Sequence, residues 1–276
     1  MNTALKSELF RLRRRPQAWI MPVLSIAFIA FFYAILYLVY QFGSEDDRPG
    51  LRETIEVGNF FENGMQIFGF FGGILIVIVT ASLIGSEYSW NTLRPLVARA
   101  QSRVGLLSAK WIVVLLYTVF MVIVGIIGSI VLAAIFSAFT EGGMASLPDG
   151  FWMDVVIGTG RWIVASLPYA VIGFAAALLA RSNAAGIAIG IGISFVEPLI
   201  FPLLTFVSDA FDTVQQYGIA WNVQQLVSIS TQPEDSSLEP VSASQVWEST
   251  AVLTVYMIAI VAATYIVFKR RDITSG

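Results

Sequence analysis

The sequence predicts an all-α, polytopic membrane protein that crosses the membrane six times, and three observations lead to that fold class. Hydrophobic residues make up 57% of the 276 positions and charged residues only 13%, with a mean hydropathy of +0.76, which is far from the balance of a soluble domain. Six apolar stretches are each long enough to cross a hydrocarbon core, which takes about 20 helical residues. Lys and Arg residues concentrate in alternate connections between these stretches. Six spans leave no room for a soluble domain, so residues 1–276 are predicted to form one transmembrane domain.

Before the first span, residues 3–15 are predicted to form a short amphipathic helix. Leu5, Leu9 and Leu12 recur on one face, and basic side chains occupy the other face. Such a helix lies in the cytoplasmic interface of a membrane, with its arginines near the lipid phosphates. A topogenic tail without fixed structure is the alternative, since isolated helices of this length are marginal in water.

The predicted spans are defined by their uninterrupted apolar character. They cover about residues 19–42, 64–85, 111–140, 162–180, 182–208 and 249–268. Only the fifth contains a charged residue, Glu197, and its Gly186 and Gly190 permit close approach of another helix. The basic run before the first span is also typical of a signal peptide, but no small-residue cleavage site follows. The first span is therefore predicted to be a retained helix.

The distribution of positive charge predicts that both termini are cytoplasmic. With the N-terminus inside, all but three of the 16 Lys and Arg residues fall on the inner side. The exceptions are Arg48, Arg52 and Arg161. An excess of Lys and Arg in cytoplasmic connections is the rule that orients membrane proteins.

The outer connections are then predicted at 43–63, 141–154 and 209–248. The last of them is predicted to carry a short helix over 214–229 at the outer interface, where its Tyr and Trp residues favour the headgroup level. An acidic segment without fixed structure, 233–240, follows that helix.

Several chemistries are excluded by residues that the chain lacks. No G-x-x-x-x-G-K-[ST] phosphate loop occurs, so the chain is not itself a P-loop ATPase. His and Cys are both absent, which removes the usual zinc and copper ligands. No span carries a basic partner for a nucleophilic serine or a ladder of arginines for voltage sensing. We therefore expect no catalytic, metal or cofactor site within this chain and no nucleic-acid partner.

Glu197 is the one ionisable residue within a predicted span, and a charge there is costly unless it faces protein or water. One hypothesis assigns it to the translocation path, as a carrier of a proton or cation. Another makes it structural, bonded to backbone groups that Pro198 and Pro202 free from the helix. In a third, the span is offset and Glu197 lies near the outer interface. No second acid within the spans supplies a relay, which favours the structural hypothesis.

The connection between the second and third spans, residues 86–110, is the most informative hydrophilic segment. It places an acid at the membrane exit, then a polar run able to start a short helix, and then several basic residues. A solvated basic loop that satisfies the orientation rule is the plain interpretation. The order of the residues indicates more. It runs Glu87, Asn91-Thr92-Leu93-Arg94, Ser102-Arg103 and Lys110.

This order resembles the type-2 ABC exporter permeases, the membrane subunits of small bacterial drug, bacteriocin and ion exporters. In that family a Glu precedes a Gly-Thr-Leu-Arg-like turn, a Ser-Arg pair and a Lys that leads into the third span. Asn91 here replaces the usual Gly, and Ala100-Gln101 replace a step that commonly contains Pro. The N-terminal segment Leu5–Arg15, the fourth span and the basic C-terminal end are also similar, so the resemblance extends over nearly the whole chain.

The resemblance implies that the loop is a coupling helix that docks on a separate P-loop ATP-binding subunit, which would hold the ATP and Mg. The ATPase-coupling residues that it implies are Glu87, Asn91, Thr92, Leu93, Arg94 and Arg103. It also implies a dimer with a second permease copy or a paralogue, and export of a substrate along an interface lined by the first, second and fifth spans. The setting would be the plasma membrane of a prokaryote, in contact with its lipids.

Two other functions stay open from the sequence. One is an ion-coupled secondary transporter or channel that uses Glu197 without ATP. The other is a scaffold subunit of a larger membrane complex. The absence of inverted repeats and of paired intramembrane charges argues against ion coupling.

Overall fold

The computed structural model describes residues 2–99, 102–141, 143, 146–205, 208, 210–228 and 243–270, and these residues form helices and connecting turns but no strand. In chain order the α-helices are α1 (Asn2–Arg14), α2 (Gln17–Phe42), α3 (Arg48–Ile55), α4 (Gly64–Ile67), α5 (Gly73–Ser89), α6 (Leu93–Arg99), α7 (Arg103–Ser137), α8 (Phe151–Ala180), α9 (Asn183–Thr205), α10 (Ala210–Gln215), α11 (Ile219–Ser228) and α12 (Ala243–Arg270). A π-helical turn over Phe68–Gly72 joins α4 to α5.

Six helical segments among the described residues are long and apolar enough to cross a membrane, which confirms the predicted fold class. They are α2, the continuous segment that ends in α5, α7, α8, α9 and α12. A helix bonds its backbone N–H and C=O groups within the same segment, as a hydrocarbon environment requires. One further helix, α1, precedes the first span, and another, α6, follows the second.

The helices extend beyond the apolar stretches from which they were predicted. α7 begins at Arg103, before the predicted start at residue 111, and α8 begins at Phe151, before residue 162. An apolar window detects only the part of a helix that lies in hydrocarbon, whereas helical hydrogen bonding continues into the headgroup region and water. Arg161, which was assigned to the outer side of the membrane ahead of the fourth span, is therefore inside α8.

Two of the outer connections differ from the prediction. The first contains a helix that was not predicted, and the predicted helix of the last is interrupted. The connection after α2 holds α3. The helix predicted over 214–229 is divided into α10 and α11 at Gly218, where a poor helix former allows the chain to turn. The acidic segment 233–240 lies outside the described residues.

α5, α8 and α9 form the tightly packed centre of the bundle. Only Arg181 and Ser182 separate α8 from α9, and Arg181 has a left-handed φ of 54° that ends α8. A Cβ on Gly186 would lie 2.5 Å from Ala177 Cα, and one on Gly190 would lie 2.6 Å from a methyl carbon of Val77. The two glycines therefore permit the close helix approach that their spacing predicted.

The spans differ in how much of their apolar surface the chain itself covers. In the most apolar window, 67% of residues are buried in the second and fourth spans, against 6% in the fifth and 17% in the sixth. The second and fourth spans are thus enclosed by the rest of the bundle. The fifth leaves almost its whole outer face for lipid or a partner.

Candidate functional site

Charged side chains from three parts of the chain meet at one end of the bundle, beside the connection between the second and third spans. We define the charge cluster as Glu8, Arg11, Arg15, Glu87 and Lys110. Lys110 on α7 is at its centre, with 1% of its side chain exposed. Its Nζ donates hydrogen bonds to Glu8 Oε2 at 2.9 Å and to Glu87 Oε1 at 2.6 Å. One cation thus joins α1 and α5 through α7.

The two arginines extend this cluster along α5. Arg11 Nη1 donates to Glu8 Oε1 at 3.0 Å and to Glu87 Oε1 at 3.4 Å. Arg15 Nη1 donates to Ser86 Oγ at 3.0 Å and to the backbone carbonyl of Ser82. Burial lowers the pKa of the Arg15 guanidinium, while the nearby Glu87 and Glu8 carboxylates oppose that fall. The ordinary pKa of a guanidinium lies so far above neutral pH that this group stays charged in either case.

The periodicity of α1 explains why these residues meet. Glu8 falls on the same helical face as Leu5 and Leu12, at spacings of three and four residues. That apolar face packs against the core of the bundle, so it carries the Glu8 carboxylate inward with it. Arg11 follows Glu8 by three residues and lies on the same side of α1, and Arg15 comes just after the helix ends at Arg14.

The charge cluster is costly to disturb. Removing two ions from water is expensive, so a buried ion pair adds little net stability, but removing one partner leaves an uncompensated charge. Glu87 Oε2 has no hydrogen-bond partner among the described residues, so the cluster is not fully satisfied in this arrangement. The charge cluster therefore links three helices, but its ion pairs add little to the stability of the fold.

The chain leaves α5 through a tight turn at Asn91. Asn91 has a left-handed φ of 54°, the Thr92 N–H bonds to the Glu87 carbonyl at 2.9 Å, and the Asn91 N–H bonds to the Tyr88 carbonyl at 3.1 Å. This pair of bonds is a Schellman motif, which usually requires Gly and sometimes accepts Asn at the left-handed position. Asn91 therefore satisfies the same backbone requirement as the Gly that is usual in type-2 ABC permeases.

The six predicted coupling residues differ in their exposure to solvent. Asn91, Thr92 and Arg94 are exposed on the turn and the start of α6. Glu87 and Leu93 are buried, 3% and 2% exposed, so neither presents its side chain to solvent. Arg103, at the start of α7, is partly buried. The replaced step Ala100-Gln101 lies outside the described residues.

Sequence reasoning missed most of the charge cluster. Glu8, Arg11 and Arg15 were treated only as part of an interfacial helix, and Lys110 only as the residue that leads into the third span. One local signal was available: an acid on the apolar face of an amphipathic helix requires a buried cationic partner. Trp90, which is 73% exposed beside the turn, was not among the predicted coupling residues.

Glu197, the candidate residue for a translocation path, lies on α9 and contacts the start of α11. Its Oε1 accepts a hydrogen bond from the Ala220 N–H at 2.7 Å, and a free N–H at a helix N-terminus is stabilised by a carboxylate. The bonded backbone group therefore belongs to α11 and not to the helical backbone around Pro198 and Pro202. The contact supports a structural role for Glu197, but with a different backbone partner from the predicted one, because the side chain ties α11 to the fifth span.

Glu197→Gln is expected to leave the unfolding temperature and transport by the assembled exporter unchanged, because the amide Oε1 can still accept the Ala220 N–H. Glu197→Leu, which removes the acceptor, is expected to cost about 0.5–2 kcal/mol of stability. Thermal unfolding of both purified variants, with transport measured on the first, tests the assignment. A Gln variant that folds normally but no longer transports would instead support a proton or cation carrier.

Comparison with known proteins identifies the chain independently of these contacts. A family model described as ABC-2 family transporter protein matches residues 4–197, which is more than half of the chain and includes the charge cluster and the turn at Asn91. The chain is also 35% identical over 71 residues to the uncharacterized protein YhcI of Bacillus subtilis (strain 168), a match that covers 26% of this chain and 22% of that protein. The resemblance to the type-2 ABC family is thereby confirmed, and the chain is a multi-pass membrane protein that belongs to the ABC-2 family of transporter proteins.

Proposed function

We propose that this chain is the membrane-spanning subunit of an ATP-driven exporter in the plasma membrane of a prokaryote. A separate P-loop ATPase binds and hydrolyses ATP with Mg and docks on α6 and the turn before it. Closure of the ATPase subunits then moves the spans, and a substrate crosses along the interface between two permeases.

The charge cluster is the observation that carries this proposal. It lies directly behind the turn that leads to α6, and its ion pairs hold α1, α5 and α7 together. When a docked partner displaces α6, these ion pairs therefore move the ends of α5 and α7 with it. A flexible loop without such contacts would change shape and leave the spans in place. Buried ion pairs are weak stabilisers, so transmission of movement accounts for this cluster better than stability alone.

The surface in front of the cluster also suits a protein partner. Asn91, Arg94 and Pro95 are exposed on the turn and the start of α6, and Arg is among the residues most enriched in energetically dominant contacts of protein interfaces. The buried Leu93 anchors α6 to the bundle beneath them. The proposed interface therefore consists of the exposed residues. Glu87 and Leu93 are buried beneath them and hold the turn and α6 in position.

Arg94→Glu is expected to reduce the substrate-stimulated ATPase activity of the assembled complex by about tenfold or more, since reversing a contact charge costs several kcal/mol. Arg270→Glu is the matched control, because Arg270 is an exposed basic residue on the same predicted side of the membrane. Both variants are expected to insert and fold normally, as judged by their unfolding temperatures.

Single cysteines provide a second readout, because the chain contains no Cys. Arg94→Cys is expected to cross-link to an ATPase encoded beside this chain, and Arg270→Cys is not. Equal cross-linking at both positions, together with unchanged coupling in Arg94→Glu, would leave α6 and the turn before it as a solvated connection and refute the docking proposal.

A second copy or a paralogue of this chain completes the exporter in this proposal. The fifth span supports it, because α9 leaves an apolar groove of about 420 Å³ along a face that includes Ile189, Gly192 and Val196, and a glycine on such a face allows close helix contact. The second span contributes less than the family resemblance implied, since α8 and α9 cover most of α5. Of the three spans that the resemblance implied, the first and fifth offer the larger open surfaces.

A further inference from the structure

An open pocket of about 450 Å³ lies between α1 and the segment that runs from the end of α5 into α6. Arg11, Arg14 and Arg15 line one side, and Trp90 and Leu96 line the other. The pocket is therefore bounded by the interfacial helix and by the surface proposed above for the ATPase, at the level where the spans leave the membrane.

The charges around this pocket do not balance. The charge cluster and Arg14 together hold four cations (Arg11, Arg14, Arg15 and Lys110) against two carboxylates (Glu8 and Glu87), which leaves two positive charges uncompensated. Arg14 has no carboxylate partner within the described part of the chain, and its guanidinium lies 4.9 Å from the centre of the Phe10 ring. An excess of guanidinium groups facing an open pocket is a binding site for an anion, and phosphate suits their planar donors.

The aromatic residues at the edge of the pocket indicate which class of phosphate compound binds there. Phe10 is 58% exposed and Trp90 is 73% exposed, and both line the pocket beside the arginines. Aromatic rings at the end of membrane spans occupy the headgroup level, with acyl chains on one side and water on the other. A free phosphate ion would use the arginines and leave the rings in water, whereas a phospholipid uses both.

We propose that this pocket binds the phosphate group of an anionic phospholipid from the adjacent leaflet, with its glycerol backbone against Phe10 and Trp90. A lipid held there contacts both α1 and the start of α6, so it fixes the position of the proposed coupling surface relative to the interfacial helix. Lipid binding is a property of the permease alone, and its test therefore does not depend on the proposed ATPase.

The test uses the purified full-length chain in detergent, with dioleoyl-phosphatidylglycerol as the probe and dioleoyl-phosphatidylcholine as the zwitterionic comparison. Native mass spectrometry reports the fraction of chain that retains each lipid. Arg14→Gln is expected to weaken phosphatidylglycerol retention about fivefold, the effect of one basic residue at an anionic membrane surface. Arg14→Lys, which keeps the charge but loses the planar donors, is expected to lose less. Neither variant is expected to change phosphatidylcholine retention.

Arg13→Gln is the matched control, because Arg13 is an exposed neighbour on α1 that does not line the pocket. An equal loss in Arg13→Gln and Arg14→Gln would indicate general attraction to a basic helix and overturn the proposal. Displacement of phosphatidylglycerol by excess inorganic phosphate would reassign the site to free phosphate. Unchanged lipid retention in Arg14→Gln, combined with lost association of the ATPase in phosphatidylcholine nanodiscs, would assign the pocket to the partner protein instead.

Discussion

Lys110→Ala is expected to lower the free energy of unfolding by about 3–5 kcal/mol, because it leaves the Glu8 and Glu87 carboxylates buried without their central cation. The expected phenotype is a large fall in the yield of folded protein and in the unfolding temperature followed by tryptophan fluorescence. Lys6→Ala is the control, since Lys6 is an exposed lysine on α1. Equal unfolding temperatures for the two variants would contradict the account of the charge cluster given above.

A charge-balanced double variant separates loss of charge from loss of packing. Lys110→Met with Glu87→Gln removes one cation and one carboxylate. The charge cluster then holds two cations and one carboxylate in place of three cations and two carboxylates, so its net charge stays at +1. Replacing a buried ion pair by uncharged groups of similar size is often nearly neutral for stability. Most of the stability lost in Lys110→Ala is therefore expected to return. If the cluster transmits movement, the recovered protein still loses coupling to the ATPase.

Gly186→Ala is expected to destabilise the protein by about 1–3 kcal/mol, although alanine is the better helix former. The added methyl would lie 2.5 Å from Ala177 Cα on α8, and a backbone atom in a packed core cannot yield as a flexible side chain does. The two helices must then separate along the centre of the bundle.

Gly160→Ala is the matched control for this prediction. Gly160 is also within a span helix, but apart from its own stretch of helix no described atom lies within 4 Å of a Cβ built there. This variant is expected to be neutral or to gain up to about 1 kcal/mol from helix propensity. Thermal unfolding in one detergent compares the pair, and the close-packing account fails if Gly186→Ala is as stable as Gly160→Ala.

The fold class was predictable because membrane insertion depends on local sequence. A span needs only enough consecutive apolar residues to cross the hydrocarbon, so composition and length were sufficient for all six. The ends of the helices were not predictable in this way. α7 and α8 continue past their apolar stretches, where polar residues still form helical hydrogen bonds.

The candidate site was predictable only in part. The motif order located the turn at Asn91 and the exposed Arg94, because a left-handed position and a short polar helix leave local signals. It assigned Glu87 and Leu93 to the same surface, but the chain buries both. Which residues of a loop face solvent depends on what packs behind it, and α1 and α7 pack behind this one.

The sequence by itself determined the six spans and the order of the motif, since these depend on neighbouring residues along the chain. Only the tertiary structure decided the partners of the charges. Lys110 bonds to a carboxylate 102 residues away, and Glu197 bonds to a backbone amide 23 residues away. A buried charge pairs with whichever opposite charge or polar group helix packing brings within about 3 Å. The spacing of residues along the chain does not specify which group that is.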